Sequence, residues 1–465
     1  MKRLPDWIVG LSNLETLDLT SCSSLVELPR DIKKMINLRH LILEYCDRLS
    51  GMPRGIGELN GVRTLSRFVL SESNCLGRGG SAGLAELGTL KELRGDLVIG
   101  NLRHVVSESN VGTPLKDKQH LCSLQLWWIL REDISAVDEE DIIKSMEVLQ
   151  PHSNLKQLQV WYYGGVRFAS WFSSLINIVN LELSFFKRCQ RLPPLDHLPS
   201  LKSLTMVGLQ KLEYISENES SNSMSDEMMR ISFFPSLEKL SIQDCPVLKG
   251  WWRAHTHNSD DSSSSTENLS LPSFPRLSTL SIDECPNLMS MPLYPNVEKI
   301  HLEKSSWKVV DSLFVRGASD ITHEVGVDVS ASSSSPHLSK LTHLSLHAIE
   351  DLASLPEEIS NLTSLQHLEF SNCSNLASLP EEISNLTSLQ ELAISNCSNL
   401  SSLPEGIRGL PCLNRLKIWW CPMLSERCKK ETDGIPCGSM ILVCIHYPLN
   451  SFFFNFSLIS FFSII

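Results

Sequence analysis

The chain has 465 residues, 42% of them hydrophobic and 20% charged, a balance that excludes wholesale disorder and supplies enough apolar surface for a core. Its formal net charge of -12 at pH 7 excludes a general nucleic-acid binder, which needs a basic face to neutralise phosphates, and favours protein partners. Fourteen cysteines are too few in so long a chain for a disulfide scaffold and fit reduced thiols in the cytosol.

Charge is unevenly spread: residues 1 to 103 hold 14 Lys and Arg against 12 Asp and Glu, the remainder 27 against 41. Such asymmetry can orient docking against another domain over about 8 Å at physiological salt. At the N-terminus Lys2 and Arg3 are followed by Pro5 and Asp6, not by an apolar run, so no secretory signal is read there. Leu4, Ile8 and Leu11 already match the outer half of a repeating unit, so Met1 stands inside an array, and either an upstream segment or poor solubility of the isolated chain is expected.

The first repeats run Leu14, Leu17, Leu19, Cys22, Leu25, Leu28, Pro29 and, 24 residues on, Leu38, Leu41, Leu43, Cys46, Leu49, Met52, Pro53. An irregular stretch follows, in which Gly79-Gly80-Ser81-Ala82-Gly83 fits the nucleophile-elbow pattern; the glycine cluster is read as flexibility, not as a catalytic Ser81. Weaker copies begin near Leu121, Leu155, Ile178, Leu201, Leu237, Leu277, Val297 and Leu341. Insertions near 216–230, 255–270 and 305–336, rich in Ser, Asn, Asp and Met, are read as surface loops.

The clearest unit is Leu365, Leu368, Phe370, Cys373, Leu376, Leu379, Pro380, repeated at Leu389, Leu392, Ile394, Cys397, Leu400, Leu403, Pro404 and again from Leu413 to Leu424. A period near 24 is that of leucine-rich repeats. Alternation puts Leu368 and Phe370 inward on a short strand, with His367, Glu369 and Ser371 outward. Cys373 closes the strand, Leu376 and Leu379 pack beneath, and Ile383 and Leu386 fill the convex layer. The expected fold is therefore an α/β repeat, a leucine-rich-repeat solenoid over 1–430, with parallel strands on the concave face and short helical or irregular segments on the convex face.

Residues 431–465 form an atypical apolar tail: no Asp, Glu, Lys or Arg occurs from Met440 to Ile465, and six Phe fall between Phe452 and Phe462. A membrane helix needs about 20 mostly apolar residues, but Pro448, Asn450 and Asn455 interrupt this run. The favoured reading is a peptide from an altered exon end, with a tail anchor as the alternative.

These residues resemble the leucine-rich-repeat region of coiled-coil-type plant nucleotide-binding disease resistance proteins. The resemblance rests on the irregular repeat from Leu49 to Val105, on Leu149 to Leu158 with Tyr163 to Trp171, on Cys189 to Leu195 with Leu198 to Leu204, and on the closing Cys421 to Lys430. It implies a cytoplasmic receptor module, with the nucleus or a membrane surface as further compartments, that senses a pathogen effector or a guarded host protein and restrains a nucleotide-binding domain. No G-x-x-x-x-G-K-[ST] occurs in the chain. No cofactor is expected in it, and ATP or ADP would belong to an upstream nucleotide-binding domain. A stand-alone scaffold, adaptor or decoy is the alternative function, and no enzyme is read.

The same alternation sends Trp127, Trp161 and Trp419 outward with Gln125, Gln159, Arg415 and Lys417. Together with His367 and Glu369 they form the expected partner-binding set, because exposed Trp and Arg dominate binding hot spots. His343 and His347 stand four apart on one strand, and His255 and His257 lie in a polar insertion; neither pair has a recognised zinc spacing.

Overall fold

The computed structural model describes residues 1–71, 82–103, 112–129, 137–217, 233–253, 274–289, 291–292, 294–314, 338–424 and 442–444. Within these residues the architecture is a ladder of short parallel strands. Strands Thr16–Asp18, His40–Ile42 and Thr64–Leu65 form one sheet, and 14 strands from Arg67–Val69 to Leu442–Cys444 form the next. Ser66 joins the two: its N–H donates to the Leu41 carbonyl at 3.3 Å and its own carbonyl accepts from the Val98 N–H at 2.9 Å.

The period of the sequence becomes the register of the sheet. Leu368 pairs with Leu392 and Leu392 with Leu416, steps of 24 residues that stack inward leucines in a continuous row. Leu368, Phe370, Leu392 and Ile394 are all buried, in the strand pattern that alternation requires. One unit has too little apolar surface to bury its own face, so each leucine row is completed by the rows of adjacent repeats.

Directly after many of the strands one residue takes a left-handed backbone conformation, among them Tyr162 (φ 60°), Phe185 (φ 61°), Ala348 (φ 48°), Asn372 (φ 57°), Asn396 (φ 50°) and Trp420 (φ 48°). This turn swings the chain off the concave face and drives the next residue inward. In many units that residue is a buried cysteine. Its thiol donates to main-chain oxygens: Cys285 to the Asp283 carbonyl at 3.2 Å, Cys397 to Ser395 at 3.4 Å, and Cys46 to Leu19 of the preceding unit at 3.2 Å. The strand-closing role read for Cys373 is thus present, with bonds to the Leu346 and Ser371 carbonyls.

On the convex side Pro380 holds an extended backbone before the 3-10 turn Glu381–Asn385, which buries Ile383. Pro356 and Pro404 do the same one unit away on either side. Longer helices, Leu84–Thr89 and Glu139–Glu147, replace this turn in irregular units. Leu11 is exposed while Met35, its counterpart 24 residues on, is fully buried. Among the described residues no helix is long and apolar enough to cross a membrane.

One sequence expectation needs correction here. The segment 305–336 was expected to be a surface loop throughout, yet its start forms the helix Trp307–Phe314, which buries Val309, Val310, Leu313 and Phe314. Those apolar residues recur at helical spacing within a polar, serine-rich neighbourhood that masks them in composition. The remainder of that insertion and most of the other two, with Ser81, His255 and His257, lie outside the described residues. Ser216 of the first insertion lies in the strand Tyr214–Glu217, which pairs with Gly250–Arg253 in a separate two-stranded sheet. Of the apolar tail only Leu442–Cys444 is described, as a strand beside Arg415–Trp419.

Candidate protein-interaction face

Outward residues at equivalent strand positions line up across the concave face in columns, because parallel neighbours lie about 4.8 Å apart. Trp127 pairs with Trp161, and Trp161 with Ser184. The two indoles stack with ring centroids 4.7 Å apart and planes 8° from parallel. Beside them the left-handed turns carry Tyr162 and Phe185, whose rings stack at 5.2 Å, and Phe185 lies 5.8 Å from Trp161. Gly208 ends this row. A Cβ there would meet the Phe185 ring at 2.8 Å, so only glycine, already favoured by its φ of 67°, admits that ring.

The cluster decides the accessibility of its members. Trp127, Tyr162 and Phe185 remain half-buried, whereas Trp161, enclosed on both sides, is only 9% exposed. Trp161 points outward as alternation requires, but it is not the open contact residue expected from the sequence. Burial raises the Tyr162 hydroxyl above its ordinary pKa. The opening that remains is offered by Trp127, whose Nε1 donates to Gln125 Oε1 at 3.3 Å, and by the two turn aromatics.

The other end of the face is charged. His343 and His367, register partners, stack at 4.3 Å with planes 16° apart. Glu391 follows in the same column and gathers three basic groups: Arg415 Nη1 at 2.9 Å, His367 Nδ1 at 3.8 Å, and the Lys417 ammonium. Burial works to raise the Glu391 pKa, but Lys417 and Arg415 prevail and hold it below the ordinary value. Lys417 also lies 5.8 Å from the Trp419 ring centroid. Trp419 is half-buried, and Trp420, on the next turn, is fully open.

Between these two ends lies a patch that the sequence reading did not assemble. His301 Nε2 is 3.7 Å from Glu303 Oε2, and His347 Nε2 is 3.7 Å from Glu369 Oε1. The two imidazoles meet edge to face at 4.8 Å. Burial opposes protonation of His347, yet the Glu369 carboxylate prevails and raises its pKa, while burial and His347 lower that of His301. Next in the row, burial and the Glu303 and Glu284 carboxylates push Asp283 up to about 6.

The structure therefore brings His367 together with Arg415 and Lys417 through Glu391, joins Glu369 to the His301 patch, and sets Trp127 with Trp161 far along the ladder from Trp419. Glu391 was within reach of the sequence, standing 24 residues after His367. His301 was not, because the insertion after it lengthens the step to its register partner Ser345 to 44 residues. Nor did composition single out Tyr162 and Phe185, since alternation stops at the strand end.

Sequence families agree with this repeating geometry. The family described as R13L1/DRL21 LRRs matches residues 84–209, and that described as a leucine-rich repeat region matches 320–432. The chain is a leucine-rich-repeat protein. Its repeats are similar to those of plant disease resistance proteins: it is 40% identical to disease resistance protein RGA2 of Solanum bulbocastanum over 51% of this chain and 24% of that protein. It is also 35% identical to the putative disease resistance protein At3g14460 of Arabidopsis thaliana over 54% of this chain and 19% of that one. The chain thus spans about a quarter or less of the length of these curated relatives. An internalin from Listeria monocytogenes is similar at 15% identity over 89% of this chain and 88% of that chain, with a TM-score of 0.39. The R13L1/DRL21 match contains the whole aromatic cluster, from Trp127 to Gly208.

Proposed function

We propose that this leucine-rich-repeat chain is the recognition and autoinhibitory module of a plant intracellular immune receptor, acting by protein–protein contact through its concave face. The observation that carries the reading is the aromatic cluster of Trp127, Tyr162 and Phe185, half-buried on a face whose other end is charged around Glu391. Rigid aromatic rings beside polar groups are the composition of binding hot spots. The names of the relatives give the biological setting, defence against pathogens. The partners are a pathogen effector or guarded host protein and the nucleotide-binding domain of the same or a related receptor. No cofactor of its own and no catalytic step belong to this reading, and the site of action is the cytoplasm.

The test is co-expression of the chain with the nucleotide-binding region of a plant nucleotide-binding disease resistance protein as a separate polypeptide. The two should co-purify, and Trp127→Ala combined with Phe185→Ala should reduce the complex at least about tenfold, a loss of about 1.4 kcal/mol. A chain that stays soluble and never associates overturns the receptor reading in favour of a stand-alone scaffold.

A further inference from the structure

We propose that His301, Glu303, His347 and Glu369 form a binding site for a divalent transition metal of the zinc type at the centre of the concave face. Two imidazoles and a carboxylate, those of His301, His347 and Glu303, already place one ligand atom each within 4.8 Å of one another. Glu369 adds a second carboxylate, 3.7 Å from His347 Nε2. Zinc accepts imidazole nitrogen at about 2.0–2.1 Å and carboxylate oxygen at about 2.0–2.2 Å, so tetrahedral ligand atoms lie roughly 3.4 Å apart. The 3.7 Å pairs need to close by a few tenths of an ångström and the widest separation, within 4.8 Å, by at most about 1.4 Å, within the reach of χ rotation in side chains at the surface of the sheet.

The register explains how His301, Glu303 and His347 meet and why Glu369 stands beside His347. His301 and Glu369 are both register partners of Ser345, one from each side, and Glu303 is the partner of His347. The small Ser345 side chain leaves space between the first two, and His347 projects one position along beside Glu303. His347 Nε2 is shielded from solvent, and its Glu369 Oε1 ion-pair partner at 3.7 Å is beyond hydrogen-bond distance, a state that a metal ion would relieve. The neighbouring Glu303, Glu369 and Asp283 carboxylates favour a cation there. Bound in this position, the ion ties the strands Lys299–Glu303, His343–His347 and His367–Ser371 together across the long connection between residues 303 and 343.

The full chain, freed of metal by chelator, is titrated with zinc chloride by calorimetry and with cobalt(II) by visible absorption. One ion per chain should bind with the strong ligand-field bands of a four-coordinate nitrogen and oxygen site. Glu369→Gln should weaken binding about tenfold or more, and His301→Ala, His347→Ala and Glu303→Gln by more than that. His343→Ala, on the same strand but stacked on His367, should leave it unchanged. An ion held by thiols would show sulfur-to-cobalt charge-transfer bands and persist in all variants, so the His347-dependent ion is read separately. His347→Gln supplies a second test should His347→Ala lose its far-UV circular dichroism. Absence of a non-thiol ion, or binding as tight as the native chain's in the His301, His347 and Glu303 variants, overturns the site.

Discussion

Trp127 and Trp161 lie face to face, 4.7 Å between centroids, at paired positions on adjacent parallel strands. The pair makes one indole a platform and the other a filling, because Phe185 closes the far side of Trp161 at 5.8 Å. Replacing Trp161 by Ala should therefore cost about 3 kcal/mol, as for a buried Trp, including about 0.5–1.5 kcal/mol from the stacked pair. Trp419→Ala, at a half-buried position, should cost about 1 kcal/mol or less. Urea unfolding followed by near-UV circular dichroism checks both, and equal midpoints for the two variants contradict the enclosure of Trp161.

Leu368 and Leu392, register partners in the inward row, are buried to within 1%. Leu368→Ala and Leu392→Ala should each destabilise by roughly 2–5 kcal/mol through a cavity that neighbouring repeats fill only in part. A melting temperature unchanged by either substitution would contradict the inward placement.

Ala348 holds φ at 48° at the turn after its strand, a conformation that costs a residue with a Cβ about 1–2 kcal/mol. Ala348→Gly should raise stability by about 1 kcal/mol, and Ala348→Val should lower it by at least as much, since branching at Cβ worsens the same contact. Melting temperatures in the order Gly, Ala, Val are expected, and the reverse order rejects the left-handed turn.

Lys118 is buried, with Nζ donating to the Leu90 carbonyl at 2.7 Å, and burial lowers its pKa from 10.5 to about 8. The unfolded chain keeps this proton up to the higher value while the folded chain releases it at the lower one. Between pH 8 and 10.5 the unfolded state thus binds more protons, and stability from this group rises with pH, by about 3 kcal/mol at most. Since thiols and tyrosines also titrate in that window, the quantity to measure is the stability difference between the native chain and Lys118→Met. It should shift toward the native chain as pH rises from 8 to 10.5, and a flat difference contradicts the buried cation.

The 24-residue period of Leu, Cys and Pro determined by itself the parallel ladder, the inward leucine rows and the buried thiols at the strand ends. These follow from local alternation and stacking, in which each residue's direction is set by its own backbone. The outward direction of Trp127, His367, Glu369, Arg415, Lys417 and Trp419 was equally legible. What those outward side chains meet was decided only by the tertiary structure. Trp161 points outward and is still buried, because its environment is built by rings on two neighbouring strands. Glu391 becomes the centre of three basic groups because the repeat brings strands 24 residues apart side by side. His301 meets His347 across an insertion that breaks the period, and the helix Trp307–Phe314 forms within that insertion because its apolar side can pack into the core. Strand direction is a property of the chain, whereas exposure and charge pairing belong to the assembled face.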